Sequence, residues 1–271
     1  MAFSYARRPG ARSDKKERRG GLPRLIIEVL LIAWVIRSFV FAPFSIPSGS
    51  MLPTLFIGDY VAVAKWPYGF SRFSFPWGFP SFDGRIFSNL PERGAVVVFR
   101  APGTGEDFVK RVIGLPGDTL EVRGGMLVIN GRPIPREQAG TFAMPISANS
   151  PCRVVANATP MTRRADDGGT ACLYPVFKET LPDGRSYGVI DQVENPRADN
   201  VPPTVVPEGH LFLMGDNRDD SLDSRFSPQE GGIGFVPVEN LIGRASLIFW
   251  STEGTAEYPK PWTWFSALRG D

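Results

Sequence analysis

The sequence predicts a mainly β protein behind a single N-terminal transmembrane helix, and three observations carry that prediction. Residues 25–44, LIIEVLLIAWVIRSFVFAPF, form an apolar stretch of helical length. Beyond it helical periodicity is scarce. Short valine-rich runs instead alternate with Gly and Pro turns, the pattern of strands in a β-rich core.

The first 24 residues carry eight basic side chains (Arg7, Arg8, Arg12, Lys15, Lys16, Arg18, Arg19, Arg24) against Asp14 and Glu17. That local charge of +6, set against +2 for the whole chain, leaves −4 for the rest. A basic flank beside an apolar span belongs in the cytoplasm, with everything after the span on the far side of the membrane. About 20 residues of helix reach roughly 30 Å, the thickness of a bilayer core. Glu28 lies near one end, whereas Arg37 is deeper and must snorkel or find a partner. An amphipathic helix on a soluble protein is the alternative. So is a cleavable signal peptide ending at Val40-Phe41-Ala42, but Pro43 would then follow the scissile bond with a fixed φ and no N–H. An uncleaved anchor over 25–42, with the lipid bilayer as partner, is therefore expected. No basic-aromatic pattern follows it, so no nucleic acid is expected as a partner.

After the anchor, Tyr60 to Lys65 and Ala95 to Arg100 read as strands, and Leu120 to Arg123 with Met126 to Asn130 as a hairpin turning at Gly124-Gly125. Residues 66–88 combine aromatics with Gly and Pro and read as an apolar loop. It either contacts the membrane surface or packs on the protein's own core, as do Trp262, Trp264 and Phe265. From 119 to 207 the composition turns polar and irregular, which suggests a second lobe inserted between the two parts of a catalytic core, 43–118 and 208–271. Cys152 and Cys172 fall in this exported lobe, and their spacing does not suit a metal. The pair reads as a disulfide, with free thiols the alternative.

Three motifs carry chemistry. Pro47-Ser48-Gly49-Ser50-Met51 follows an extended approach, Ala42-Pro43-Phe44-Ser45-Ile46, and Gly49 lets backbone come close to another group. Ser50 would be a nucleophile, which needs a base. The chain has one histidine, His210, so a Ser-His-Asp triad would have to be built on it. A lysine is the other choice. Alternation sends Phe108, Lys110 and Val112 to one face of a strand, where Lys110 either snorkels or is desolvated; desolvation lowers its pKa and frees a neutral amine. The third motif, 215–225, GDNRDDSLDSR, offers Asp216, Asp220 and Asp223 as oxygen ligands for calcium. Its spacing is not that of an EF-hand, and Arg218 and Arg225 fit a hydrogen-bonded ion-pair network that would hold the lysine through Ser221.

Together, and in this order behind an anchor, the motifs resemble those of bacterial type I signal peptidases. The resemblance covers Ala42 to Lys65, Gly94 to Asp118 and Val206 to Ala245. It implies a β-rich catalytic core and a serine endopeptidase that needs no cofactor. It also implies signal-bearing preproteins as substrates, cut after Ala-x-Ala. By the same resemblance Ser50 is the nucleophile and Lys110 the base. Ser48 joins the Ser50 N–H in the oxyanion hole, Ser221 orients the amine, and Asp223 with Arg225 forms a supporting pair. Ile46, Pro47, Met51, Leu55, Phe108 and Val109 would line small substrate pockets, while Arg111 and Asp216 would be structural. Residues 227–233 depart from the family pattern and read as a surface loop. Rival readings are another Ser-Lys peptidase, such as a self-cleaving repressor, and a catalytically dead tethered binding module.

Overall fold

The computed structural model describes residues 21–147, 150–153, 161–164, 169–252 and 268. Most of the basic tail, and Trp262, Trp264 and Phe265, lie outside these residues.

Helix α1 spans Gly21–Val35 and continues as a π-helical turn, Ile36–Val40. Among the described residues no helix is long and apolar enough to cross a membrane. The 15 residues of α1 reach only about 22 Å. Within the described residues the helical path stops at 40, short of the expected 42. Phe41 and Ala42 already belong to a strand, paired with Ala64 and Val63. Pro43 disfavours helical geometry at Ala42, and the neighbouring strand takes up the backbone groups that a longer helix would have used. None of the side chains of α1 is buried.

In chain order the strands of the first part are β1 (Phe41–Ser45), β2 (Asp59–Ala64), β3 (Val96–Arg100) and β4 (Asp107–Gly114). The middle part supplies β5 (Thr119–Arg123), β6 (Met126–Ile129), β7 (Arg132–Pro133), β8 (Arg136–Pro145), β9 (Met161–Arg164), β10 (Thr170–Thr180), β11 (Ser186–Ile190) and β12 (Asn200–Val205). The last part supplies β13 (His210–Met214), β14 (Val236–Pro237) and β15 (Leu241–Ser251). The fold is mainly β, as the sequence predicts. A seven-stranded sheet runs β1-β2-β15-β3-β4-β13-β14, and two four-stranded sheets are built from β8 to β11 and from β5, β6, β7 and β12.

Strands β3 and β4 are central and nearly all buried, which is why Val96-Val97-Val98-Phe99 reads as a continuous apolar run rather than an alternation. The middle sheets do not form a core of their own. Ile113, Phe212 and Met214 from the seven-stranded sheet pack in one cluster with Leu120, Leu127, Tyr187 and Val189. Shared burial of this kind ties the middle segment to the strands that carry the third motif.

Candidate active site

Ser50 lies in the turn between β1 and β2, folded back over the sheet by the bonds from Ile46 N to Asp59 O and from Gly58 N to Ile46 O. Met51 and Leu55 anchor this turn in the core with Ile46, Val61, Val63, Val96, Val98 and Val109. Lys110 comes from β4, two strands' width from β15 and adjacent to β13, whose end leads into residues 215–225. All three motifs thus meet at one end of the sheet.

The Lys110 Nζ donates to Ser50 Oγ at 2.6 Å, and both side chains are buried. Burial lowers the Lys110 pKa to about 8, although the charges of Asp223 and Asp216 oppose the shift. Lys65 is an instructive contrast, because burial and the charge of Arg37 lower it to about 8 as well. Its amine donates to the carbonyl of Ser74. A carbonyl has no proton to give, whereas a hydroxyl does, so of these two lysines Lys110 is the one that faces an ionisable proton.

Residues 215–217 clamp the serine turn. Asn217 N donates to Ser50 O at 3.0 Å and Asn217 Nδ2 to Gly49 O at 3.2 Å. Thr54 Oγ1 donates to Asp216 Oδ2 at 2.5 Å. Gly215 must be glycine here. A Cβ on it would come within 2.3 Å of Ser221 Oγ and 2.5 Å of Ser50 O, far inside contact distance.

The calcium alternative is met by arginines instead. Asp216 pairs with Arg111, Asp220 with Arg153, and Asp223 with Arg225. Burial alone would raise the Asp223 pKa, but the charge of Arg225 and the bonds from its guanidinium and from Gly215 N hold the carboxyl below its ordinary value. Asp223 therefore remains a carboxylate at the base of the loop. A third buried pair, Arg218 with Glu179, fastens the same loop to β10, with Tyr187 Oη donating to Glu179 at 3.0 Å.

The other expected site residues divide into two groups. Ser48, Phe108 and Ser221 line, with Ser50 and Lys110, a cavity of about 440 Å³. Ser48 Oγ lies 3.4 Å from Ser50 Oγ. Ser221 makes no hydrogen bond to Lys110: its Oγ is buried without a partner, while the amine donates to Ser50. Ile46, Met51, Leu55 and Val109 are buried in the core beneath Ser50 and Pro47 is exposed, so none of these five walls the open cavity. Asn195, Arg197, Asp219 and Phe226 do. Cys152 and Cys172 are joined by a disulfide with Cα atoms 5.5 Å apart, and His210 lies away from the cavity, its Nδ1 against Glu208 O at 2.9 Å. Thr54, Asn217, Glu179 and Arg153 were not singled out from the sequence. Asn217 could have been, because it sits inside the third motif; nothing local marks the other three.

The site therefore sets a buried serine hydroxyl against a buried lysine amine at the end of a β-sheet, the groups of a serine hydrolase. Over residues 21–250 the chain matches the family described as signal peptidase, peptidase S26. It is 38% identical over 236 residues to the signal peptidase I of Rickettsia typhi, covering 84% of this chain and 78% of that protein. Against the signal peptidase I of Rickettsia akari it is 38% identical over 234 residues, with coverages of 83% and 77%. A crystal structure of a signal peptidase I from Enterococcus faecalis is 25% identical over 58% of this chain and 97% of that one, with a TM-score of 0.29 that adds nothing to the argument. The chain therefore belongs to the signal peptidase family, peptidase S26, and is a serine endopeptidase.

Proposed function

We propose that the chain is a membrane-anchored signal peptidase I that removes signal peptides from exported preproteins after small residues, with Ser50 as nucleophile and Lys110 as general base. The observation that carries this reading is the 2.6 Å contact between Lys110 Nζ and Ser50 Oγ in a buried setting. Neutral Lys110 takes the Ser50 proton as Oγ attacks the carbonyl before the scissile bond. The negative oxygen that develops is met by the Ser50 N–H and the Ser48 hydroxyl. The protonated amine then gives its proton to the leaving nitrogen, and Lys110 activates water to release the acyl group. Substrate joins as an added strand. In support, β1 sits at the edge of the seven-stranded sheet and leads directly to the Ser48–Ser50 turn.

The anchor reading draws support from α1. Leu22, Leu25, Ile27, Leu30 and Leu31 are all more than half exposed, a surface that needs a hydrocarbon environment. On this reading the π-helical turn adds to the apolar path, and the catalytic part lies on the outer face of a bacterial inner membrane. Incubating the detergent-solubilised chain with a signal-bearing preprotein, then sequencing the new N-terminus, tests the whole proposal. A product with no Ala-x-Ala site before it would reject it.

Two outcomes follow for the chemistry. Ser48→Ala should lower turnover by about 10²–10³ with KM little changed, because it removes one donor to the developing oxyanion and leaves the Ser50 N–H. Steady-state kinetics would reject the role if KM alone moved. Cleavage should also rise with pH and level off above about 8. The sign follows from a lysine whose folded pKa is depressed: below that value the amine is charged and cannot accept a proton, above it the base is free. A rate that falls between pH 7 and 9 would contradict the assignment.

A further inference from the structure

A groove between α1 with its π-helical turn and the aromatic loop takes no part in this chemistry. Its volume is about 440 Å³, and it is lined by Leu30, Ala33, Trp34 and Arg37 on one side and Pro76 and Trp77 on the other. The helical residues recur at spacings of three and four, so they form one continuous face. Rings hold the two walls together: Phe39 packs against Trp34 at 6.2 Å, Phe70 at 5.3 Å and Phe75 at 5.4 Å. The loop is thus seated on the end of the helical segment.

Two properties of the groove select its occupant. The first is charge. Arg37 is exposed and, among the described residues, has no carboxylate partner. The neighbouring group that feels its charge is another cation, Lys65. A guanidinium in apolar surroundings is stabilised by an anion that can accept from its fork of N–H groups, and phosphate has that geometry. The second is apolar surface. Trp77, which shares the groove with α1, is 94% exposed, and Phe79 and Phe87 of the same loop are 72% and 80% exposed. Aromatic rings exposed next to an apolar helix end suit the water–lipid boundary. A free phosphate would satisfy Arg37 and leave these walls wet. A phospholipid covers both.

We infer that this groove binds one phospholipid, its phosphate on Arg37 and an acyl chain running along Ala33 and Leu30 under the Trp77 ring. The inference rests on the reading of α1 as a membrane anchor. Arg37 lies just before β1, which leads to Ser50, so a lipid held there fixes the height of the active site above the membrane surface.

The test is native mass spectrometry of the full chain in mild detergent, titrated with dioleoyl-phosphatidylglycerol. One lipid per chain should be retained by the wild type. Arg37→Gln should weaken retention about tenfold or more, the loss expected for a charge-assisted hydrogen bond. Trp77→Ala should weaken it too, and Arg37→Lys should restore part of it. Preprotein cleavage in detergent should be unchanged in Arg37→Gln, which reports an intact fold. Equal retention in wild type and Arg37→Gln, or displacement of the lipid by inorganic phosphate alone, would overturn the site. Carbonate extraction of cell membranes separates the two readings. A chain that stays in the membrane but retains lipid regardless of Arg37 loses only the lipid site, whereas a chain released by carbonate loses the anchor as well.

Discussion

Replacing Ser50 or Lys110 with alanine should each bring preprotein cleavage down to near background, a loss of about 10⁴ or more, and the double variant should be little worse. In the proposed mechanism the two side chains act as a unit: the hydroxyl is a poor nucleophile until the amine takes its proton, and the amine has nothing to activate once the hydroxyl is gone. Their 2.6 Å contact is the physical basis of that non-additivity. Lys110→Arg should fail as well, because a guanidinium stays protonated throughout the working pH range. His210→Ala should cleave normally, since its ring is held at Glu208 O away from the cavity. Rates for all five variants on one preprotein check the assignment. Substantial cleavage by Lys110→Ala, or a loss in His210→Ala equal to that in Ser50→Ala, would mean that another base is at work.

Arg111→Ala should be the most damaging substitution to stability, costing about 3–5 kcal/mol. Arg111 is fully buried and pairs with Asp216 through two bonds of 2.8 Å, while a third runs to Gly94 O at 2.7 Å. Removing the guanidinium strands the Asp216 carboxylate in the interior, where Thr54 Oγ1 still donates to it. The loss should spread to activity, because Asp216 sits between Gly215 and Asn217, which hold the Ser50 turn. Combining Arg111→Met with Asp216→Leu should recover part of the stability, since no unpaired charge is then left inside. Arg123→Ala breaks only an exposed pair with Glu121 and should leave the denaturation midpoint almost unmoved. Chemical denaturation of the detergent-solubilised chains reads all of these. An Arg111→Ala chain as stable as the wild type would show that the pair contributes nothing net.

Much of the site could be read from the sequence because its parts are locally marked. Ser50 follows a Pro and Gly punctuated turn, Lys110 interrupts an apolar strand, and the carboxylates and arginines of the third motif crowd into a single run. The strand positions were legible for the same reason, since β-branched runs bounded by Gly declare themselves: Tyr60 to Lys65 differs from β2 by one residue at each end. One expectation needed amendment. The apolar stretch did not stay helical to Ala42, because backbone pairing with β2 competes with the helix, and composition does not reveal that competitor. Whether Ile46, Met51, Leu55 and Val109 face substrate was not legible in the same way, because an apolar residue buried next to a nucleophile can support it or line a pocket, and its identity is the same either way.

By itself, then, the sequence determined the fold class, the order of the three motifs and the chemical types they bring: a hydroxyl, an amine, and paired charges. These are properties of residues and their near neighbours. Tertiary structure alone decided which groups meet. It set Lys110 rather than Lys65 against a hydroxyl, although burial lowers both amines alike. It brought Asn217 to the Ser50 carbonyl across 167 positions of chain, and Glu179 to Arg218 from a different sheet. Such contacts depend on sheet order and on which side chains are sealed from water, and both are fixed only when distant strands pair.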